Sequence, residues 1–150
     1  MKKSWRLWSS MFMLAAVLVF TGCATTQSVV SGPLTTEQMV TQAKAAVPQL
    51  TVAQAKMNIE KGAYKVVLDV REPNEFRAGH IPGAINVARG LLEFQVGGKV
   101  SDKSTPILVY CKTGGRGCLA GQTLQNMGYN NVTNMDGGWI EWEKAGYPVE

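Results

Sequence analysis

The stretch Pro106-Ile107-Leu108-Val109-Tyr110-Cys111-Lys112-Thr113-Gly114-Gly115-Arg116-Gly117 sets the fold class. Its first five residues are apolar without alternation, the pattern of a strand buried on both faces of a parallel sheet. Glycines and cations follow at once, and from Gly117 to about Met127 the chain reads as a helix. A buried strand, a Gly-rich turn and a helix make one βα unit, and in such sheets ligands bind where the strands end. Cys111 stands at that end.

On either side of this stretch, Lys65–Val70 is a second β-branched run, with a short strand at Ala84–Val87 and another strand at Val132–Met135. Helices are expected at about Arg89–Val96 and at Gly138–Ala145. Two capping boxes, Thr35-Thr36-Glu37-Gln38 and Thr51-Val52-Ala53-Gln54, open helices that run to Val47 before Pro48 and to about Lys61 before Gly62. Strands alternating with helices predict an α/β fold, a small parallel-sheet sandwich with helices on both faces. No internal repeat and no heptad pattern is present.

The loop carries the chemistry. Gly114, Gly115 and Gly117 let the backbone curl so that successive N–H groups form an anion nest, to which the following helix adds its positive N-terminus and Arg116 a forked cation. A cysteine at the centre of such a field has its thiolate form favoured and needs no histidine to deprotonate it. Cys111 therefore reads as a nucleophile, and Lys112, Thr113, Gly114, Gly115, Arg116 and Gly117 as the cradle of an anionic substrate. The bland alternative is an inert buried cysteine before a Gly-rich turn. Lys112 either adds charge at the mouth or is simply a solvated lysine.

Four motifs together resemble the rhodanese-like domain over roughly Leu50–Glu150: Leu68-Asp69-Val70-Arg71-Glu72, then Glu75-Phe76 with Gly79-His80-Ile81-Pro82-Gly83-Ala84-Ile85-Asn86-Val87, then the Cys111–Arg116 loop, then Met135-Asp136-Gly137-Gly138-Trp139. The resemblance implies a sulfurtransferase without metal or organic cofactor, in which Cys111 takes the outer sulfur of thiosulfate or a similar donor as a persulfide. The sulfur then passes to a thiophilic acceptor such as cyanide or a thiol. Four residues separate Cys111 from Arg116, one fewer than in the Cys-x5-Arg loop of cysteine phosphatases, and in the family the shorter ring goes with sulfur rather than phosphorus. Asp69 and Arg71 resemble the family's Asp-x-Arg pair and are expected to brace neighbouring loops, with Trp139 at the pocket entrance or simply packed. His80 is expected to fix its turn.

Two other classes stay open: a binding or sensor module that holds an anion or persulfide without turnover, and a thiol-disulfide oxidoreductase using Cys111 with Cys118. Six residues separate those cysteines, against two in a Cys-x-x-Cys site. Cys118 is read either as packing beneath the loop or as a redox partner that traps an oxidised Cys111.

The N-terminus reads as a processing segment. Residues 1–22 hold Lys2, Lys3 and Arg6 and no acid, and Met11–Phe20 is an unbroken apolar run. Ten helical residues span about 15 Å, half of a hydrocarbon core of about 30 Å, so the run suits a signal peptide better than a membrane span. Phe20-Thr21-Gly22-Cys23 resembles the lipobox of bacterial lipoproteins, which implies cleavage before a lipidated Cys23 and a membrane-anchored protein. Ala24 resembles the outer-membrane sorting class, which would face the periplasm in a Gram-negative host. Residues 23–49 then form a tether and a short helix ahead of a domain at 50–150.

Composition narrows the classes further. The 150 residues carry a formal charge of +4. Without the three leader bases, twelve remain against eleven acids, a net of +1, so the folded part has no nucleic-acid footprint. One histidine and three cysteines leave no ligand set for a multinuclear metal centre, and any Ser-His-Asp triad would have to use His80.

Overall fold

The computed structural model describes residues 32–150. Cys23, the leader and most of the tether lie outside the described residues. The elements in chain order are α1 Thr36–Ala46, β1 Gln49–Leu50, α2 Val52–Glu60, β2 Val66–Asp69, α3 Pro73–Arg77, β3 Ile85–Asn86, a 3-10 turn Arg89–Leu91 leading into α4 Leu92–Lys99, β4 Ile107–Tyr110, α5 Gly115–Asn126, β5 Val132–Met135 and α6 Gly138–Lys144. The five strands form one sheet in the order β1-β5-β4-β2-β3, and every pairing is parallel.

The continuous apolar run of β4 is explained by its place. All four of its residues are buried. Ile107 and Val109 face one core with Leu68, Val70, Leu92, Val96 and Leu124, while Leu108 and Tyr110 face the other with Val52, Ala55, Met135 and Trp142. Period-2 alternation thus sends successive side chains into two different cores. Helices α4 and α5 contribute to the first core and α2 and α6 to the second. Truncating one of these buried Leu residues to Ala should cost about 2–5 kcal/mol.

Both expected N-caps form: Thr35 and Thr51 each accept from the backbone N–H of the Gln three residues on. Two elements have no counterpart in the sequence reading. Strand β1 is only two residues long and shows no alternation, and α3 is a five-residue helix opened by Pro73. α5 begins at Gly115, two residues before Gly117, because Gly114 takes a left-handed conformation as its N-cap. Arg116 therefore lies in the first turn of the helix.

α1 lies before the domain boundary expected at Leu50, and yet it packs along α5. Ala43 is fully buried, and Val47 fills a notch at Gly121, where an added Cβ would come within 2.8 Å of Val47 Cγ1. β1, directly after it, pairs with β5. The packed unit begins at Gly32.

Candidate active site

Because the sheet is wholly parallel, the segments that follow β2, β4 and β5 leave from the same edge. The Cys111 loop follows β4, Val70-Arg71 follows β2, and Asp136-Gly137 follows β5. Cys111 is 1% exposed, and the Gly114 N–H donates to its Sγ at 3.2 Å. The loop carbonyls are held by helix amides: Trp139 N donates to Cys111 O at 2.8 Å, Ile140 N to Lys112 O at 3.1 Å, and Cys118 N to Gly114 O at 2.9 Å. Such an arrangement supplies a fixed backbone donor to negative charge on sulfur.

Two glycines make this path possible. Gly114 has φ +100°, and a Cβ there would meet Asp136 Oδ1 at 2.9 Å. Gly138 has φ +59°, and a Cβ would press on Cys111 O and lie 2.8 Å from the carbonyl carbon of Lys112. Gly117, expected in the cradle, is buried with its Cα against the Asn134 amide, so it serves close packing of α5 on β5. Lys112 and Thr113 are exposed.

Arg116 has a partner that the sequence does not reveal. Its guanidinium forks onto Glu75 of α3, Nη1 to Oε2 at 3.0 Å and Nη2 to Oε1 at 3.2 Å. Those hydrogen bonds raise the Arg116 pKa and lower that of Glu75. Glu75 also accepts from the backbone N of Glu72 at 3.0 Å, which opens α3. In the sequence Glu75 stands out only as part of the Glu75-Phe76 motif. The spacing of Glu72, Pro73 and Glu75 was the available signal for a helix start.

Asp69 and Arg71 form a buried pair, 0% and 2% exposed, with Arg71 Nη2 2.6 Å from Asp69 Oδ2. Arg71 Nη2 also donates to Gly79 O at 2.7 Å, and the guanidinium carbon lies 4.5 Å from the Trp139 ring centroid and 5.6 Å from that of Tyr110. Burial, then the Asp69 charge, push the Tyr110 phenol pKa up. The pair thus braces three segments, and Arg71 with Glu75, Lys112, Trp139 and Glu143 lines a cavity of about 250 Å³ beside the loop residue that follows Cys111. A larger cavity of about 400 Å³ lies between Thr51 and Glu141, and Cys111 lines neither cavity. Trp139, 7% exposed, both packs in the second core and walls the smaller cavity. His80 stacks on Phe76 and its backbone pairs with Glu150, the arrangement of a turn-fixing residue.

Cys118 is fully buried under β1 and β5. Asn134 Nδ2 donates to its Sγ at 3.1 Å, the sulfur lies 3.4 Å from Gln49 Oε1, and burial pushes the thiol pKa up. A buried thiol with a raised pKa is a poor nucleophile, which favours the packing role. Both cysteines among the described residues are free thiols. Among those residues no group of three or more His, Cys, Asp or Glu could hold a metal ion, and no helix is long and apolar enough to cross a membrane.

Comparison with known proteins agrees with this geometry. The sequence profile of the rhodanese-like domain matches residues 51–145. A Schizosaccharomyces pombe protein, provisionally named a mitochondrial thiosulfate sulfurtransferase, is 37% identical over 90 residues, 51% of this chain, and the match spans only 62% of that relative's length. The thiosulfate sulfurtransferase GlpE of Pseudoalteromonas translucida is 34% identical over 85 residues, covering 53% of this chain and 74% of that protein. Among solved structures, a Rhodopseudomonas palustris protein of unknown function, described as a possible tyrosine phosphatase, superposes with a TM-score of 0.71 at 32% identity, covering 79% of this chain and 99% of that one. With a parallel five-stranded sheet, a cysteine loop at its carboxyl edge and a family profile spanning most of the described residues, the chain belongs to the rhodanese-like domain family.

Proposed function

We propose that this rhodanese-family chain transfers sulfane sulfur through Cys111. The observation that supports the reading is the Gly114 N–H on Cys111 Sγ, 3.2 Å away, within a loop that has four residues between its Cys and its Arg. The Cys111 thiolate attacks the outer sulfur of thiosulfate, the S–S bond breaks, and sulfite leaves with the bonding pair. The terminal sulfur of the resulting persulfide carries the negative charge, which the loop amide stabilises. An acceptor such as cyanide then takes that sulfur as thiocyanate and returns the thiolate. Names carried by the Schizosaccharomyces and Pseudoalteromonas relatives support the donor class.

Mass mapping after incubation with thiosulfate should place one added sulfur, about +32 Da, on the Cys111 peptide, with thiocyanate formed when cyanide is supplied. Full turnover by Cys111→Ser would overturn the reading. The likeness to the Rhodopseudomonas protein raises phosphate-ester hydrolysis as a second reading. The short loop argues against it, and turnover of p-nitrophenyl phosphate in place of thiosulfate would reverse the assignment. A sensor module would bind thiosulfate and form no thiocyanate.

The anchoring expectation belongs to the same proposal. Cys23, after its ten-residue apolar run, is lipidated and holds the domain on a membrane, outer and periplasm-facing in a Gram-negative host. Cys23→Ser should shift the protein from the membrane fraction to the soluble one and leave turnover intact. Retention in the membrane fraction without a lipid adduct would end that idea.

A further inference from the structure

Three carboxylates at the loop are each matched by a cation. Asp69 holds Arg71, Glu75 holds Arg116, and Asp136 holds Lys44 with Nζ–Oδ1 at 2.7 Å. Lys112 and Glu143, which line the cavity at the mouth, make no ion pair among the described residues, so the three pairs decide whether further charge is added there. The third pair stands apart. Lys44 comes from α1, outside the stretch matched by the family profile, and reaches 92 residues along the chain to Asp136. Asp136 presses on the loop itself, its Oδ1 2.9 Å from where a Gly114 Cβ would stand, and the Gly114 N–H is the donor to Cys111 Sγ. Val40, one turn before Lys44, rests on Gly115 at 3.8 Å from the corresponding Cβ position.

We propose that Lys44 is a positioning residue that neutralises Asp136 beside the loop, so that a dianionic sulfur donor meets a neutral pair there rather than a bare carboxylate. The inference rests on the sulfur-transfer reading for its choice of donor. The Asp136 backbone is held beside the loop by its N–H, which donates to Leu50 O at 2.9 Å, and its side chain lies against Gly114. A uniform negative charge left at that place would repel both the donor and the Cys111 thiolate. Lys44 and Asp136 are 41% and 47% exposed, so the pair contributes little to stability and can be altered without threatening the fold.

The test compares Lys44→Met, Lys44→Arg, Asp136→Asn and the double variant Lys44→Met/Asp136→Asn in the full chain. Lys44→Met should lower kcat/KM for thiosulfate about 3- to 10-fold at low ionic strength, an effect that fades in about 1 M salt, where the screening length is about 3 Å. Lys44→Arg should hold the wild-type value. The double variant should recover it to within about 2-fold. That recovery separates charge from structure, since the double variant lacks the ion pair as completely as the single one. No loss in Lys44→Met, or no recovery in the double variant, overturns the proposal. If the wild type fails to turn over thiosulfate, it is the sulfur-transfer reading that falls. The field at Cys111 is then read from its rate of alkylation by anionic iodoacetate relative to neutral iodoacetamide. That ratio should fall in Lys44→Met and recover in the double variant, and a ratio equal across the set overturns the charge role.

Discussion

Arg116 and Glu75, 41 residues apart, face each other fork to fork across the mouth of the loop. A planar guanidinium fits a carboxylate in two parallel hydrogen bonds, and this geometry fixes the direction in which the arginine presents its remaining donors. Glu75 thus acts on the site through Arg116. Arg116→Ala should lower kcat/KM for thiosulfate 10- to 100-fold, about 1.5–3 kcal/mol for a charge-assisted contact. Glu75→Gln should lower it about 3- to 10-fold, and the double variant should be no worse than Arg116→Ala alone. Additive losses in the cycle would show that Glu75 acts on its own.

The same pair makes an acid-dependent contribution to stability. Arg116 lowers the folded-state pKa of Glu75 from its ordinary value of 4.5. The lowered pKa means that the stabilisation is present above about pH 4.5 and is lost as pH falls below that value through the folded pKa. Melting temperature followed from pH 6 to pH 3 should therefore fall more steeply for the wild type than for Glu75→Gln. Parallel curves would mean that screening by solvent leaves the pair without weight, as at many exposed ion pairs.

How much of this could be read from the chain depended on distance along it. The strands β2, β4 and β5 and the caps at Thr35 and Thr51 rest on patterns within a few residues, and they form where those patterns lie. The two-residue β1 has no period to detect, and its place is set by pairing with Asn134 and Met135. Cys111 and its loop were legible because strand, turn and helix are contiguous. The ion-pair partners were not, since Glu75 lies 41 residues from Arg116 and Lys44 lies 92 from Asp136, and nothing local in a surface Lys or Glu says which opposite charge it will meet. The sequence places Arg116 in the substrate cradle and shows its fork, but not the carboxylate already held in it.

Cys118 offers a test of the second thiol. Its sulfur sits under Asn134 and Gln49 and is fully buried, and burial raises its pKa. Cys118→Ala should keep kcat/KM within about 2-fold of wild type and cost on the order of 1 kcal/mol in stability for the small void. After mild peroxide, oxidation should map to Cys111, with Cys118 still alkylatable on unfolding. A reversible Cys111–Cys118 disulfide would instead revive the oxidoreductase reading.

Gly138 and Gly62 separate backbone strain from loop support. Both have positive φ, +59° and +68°, so alanine at either position carries the left-handed penalty of about 1–2 kcal/mol. Nothing lies within 4 Å of a Cβ at Gly62, whereas at Gly138 the added carbon would press on Cys111 O and stand 2.8 Å from Lys112 C and O. Those atoms belong to the backbone that α6 grips through the Trp139 and Ile140 amides, and backbone cannot swing aside as a side-chain end can. Gly138→Ala should therefore lose a further 1–3 kcal/mol, roughly the cost of overpacking, and its kcat/KM should fall at least about 100-fold as Cys111 is pushed off its Gly114 donor. Gly62→Ala should lose only the strain energy and keep its turnover. Denaturant melts and thiosulfate kinetics on the two variants, measured together, decide the matter. Equal stability losses with turnover preserved in both would mean that α6 yields to the new carbon and that Gly138 does not hold the loop.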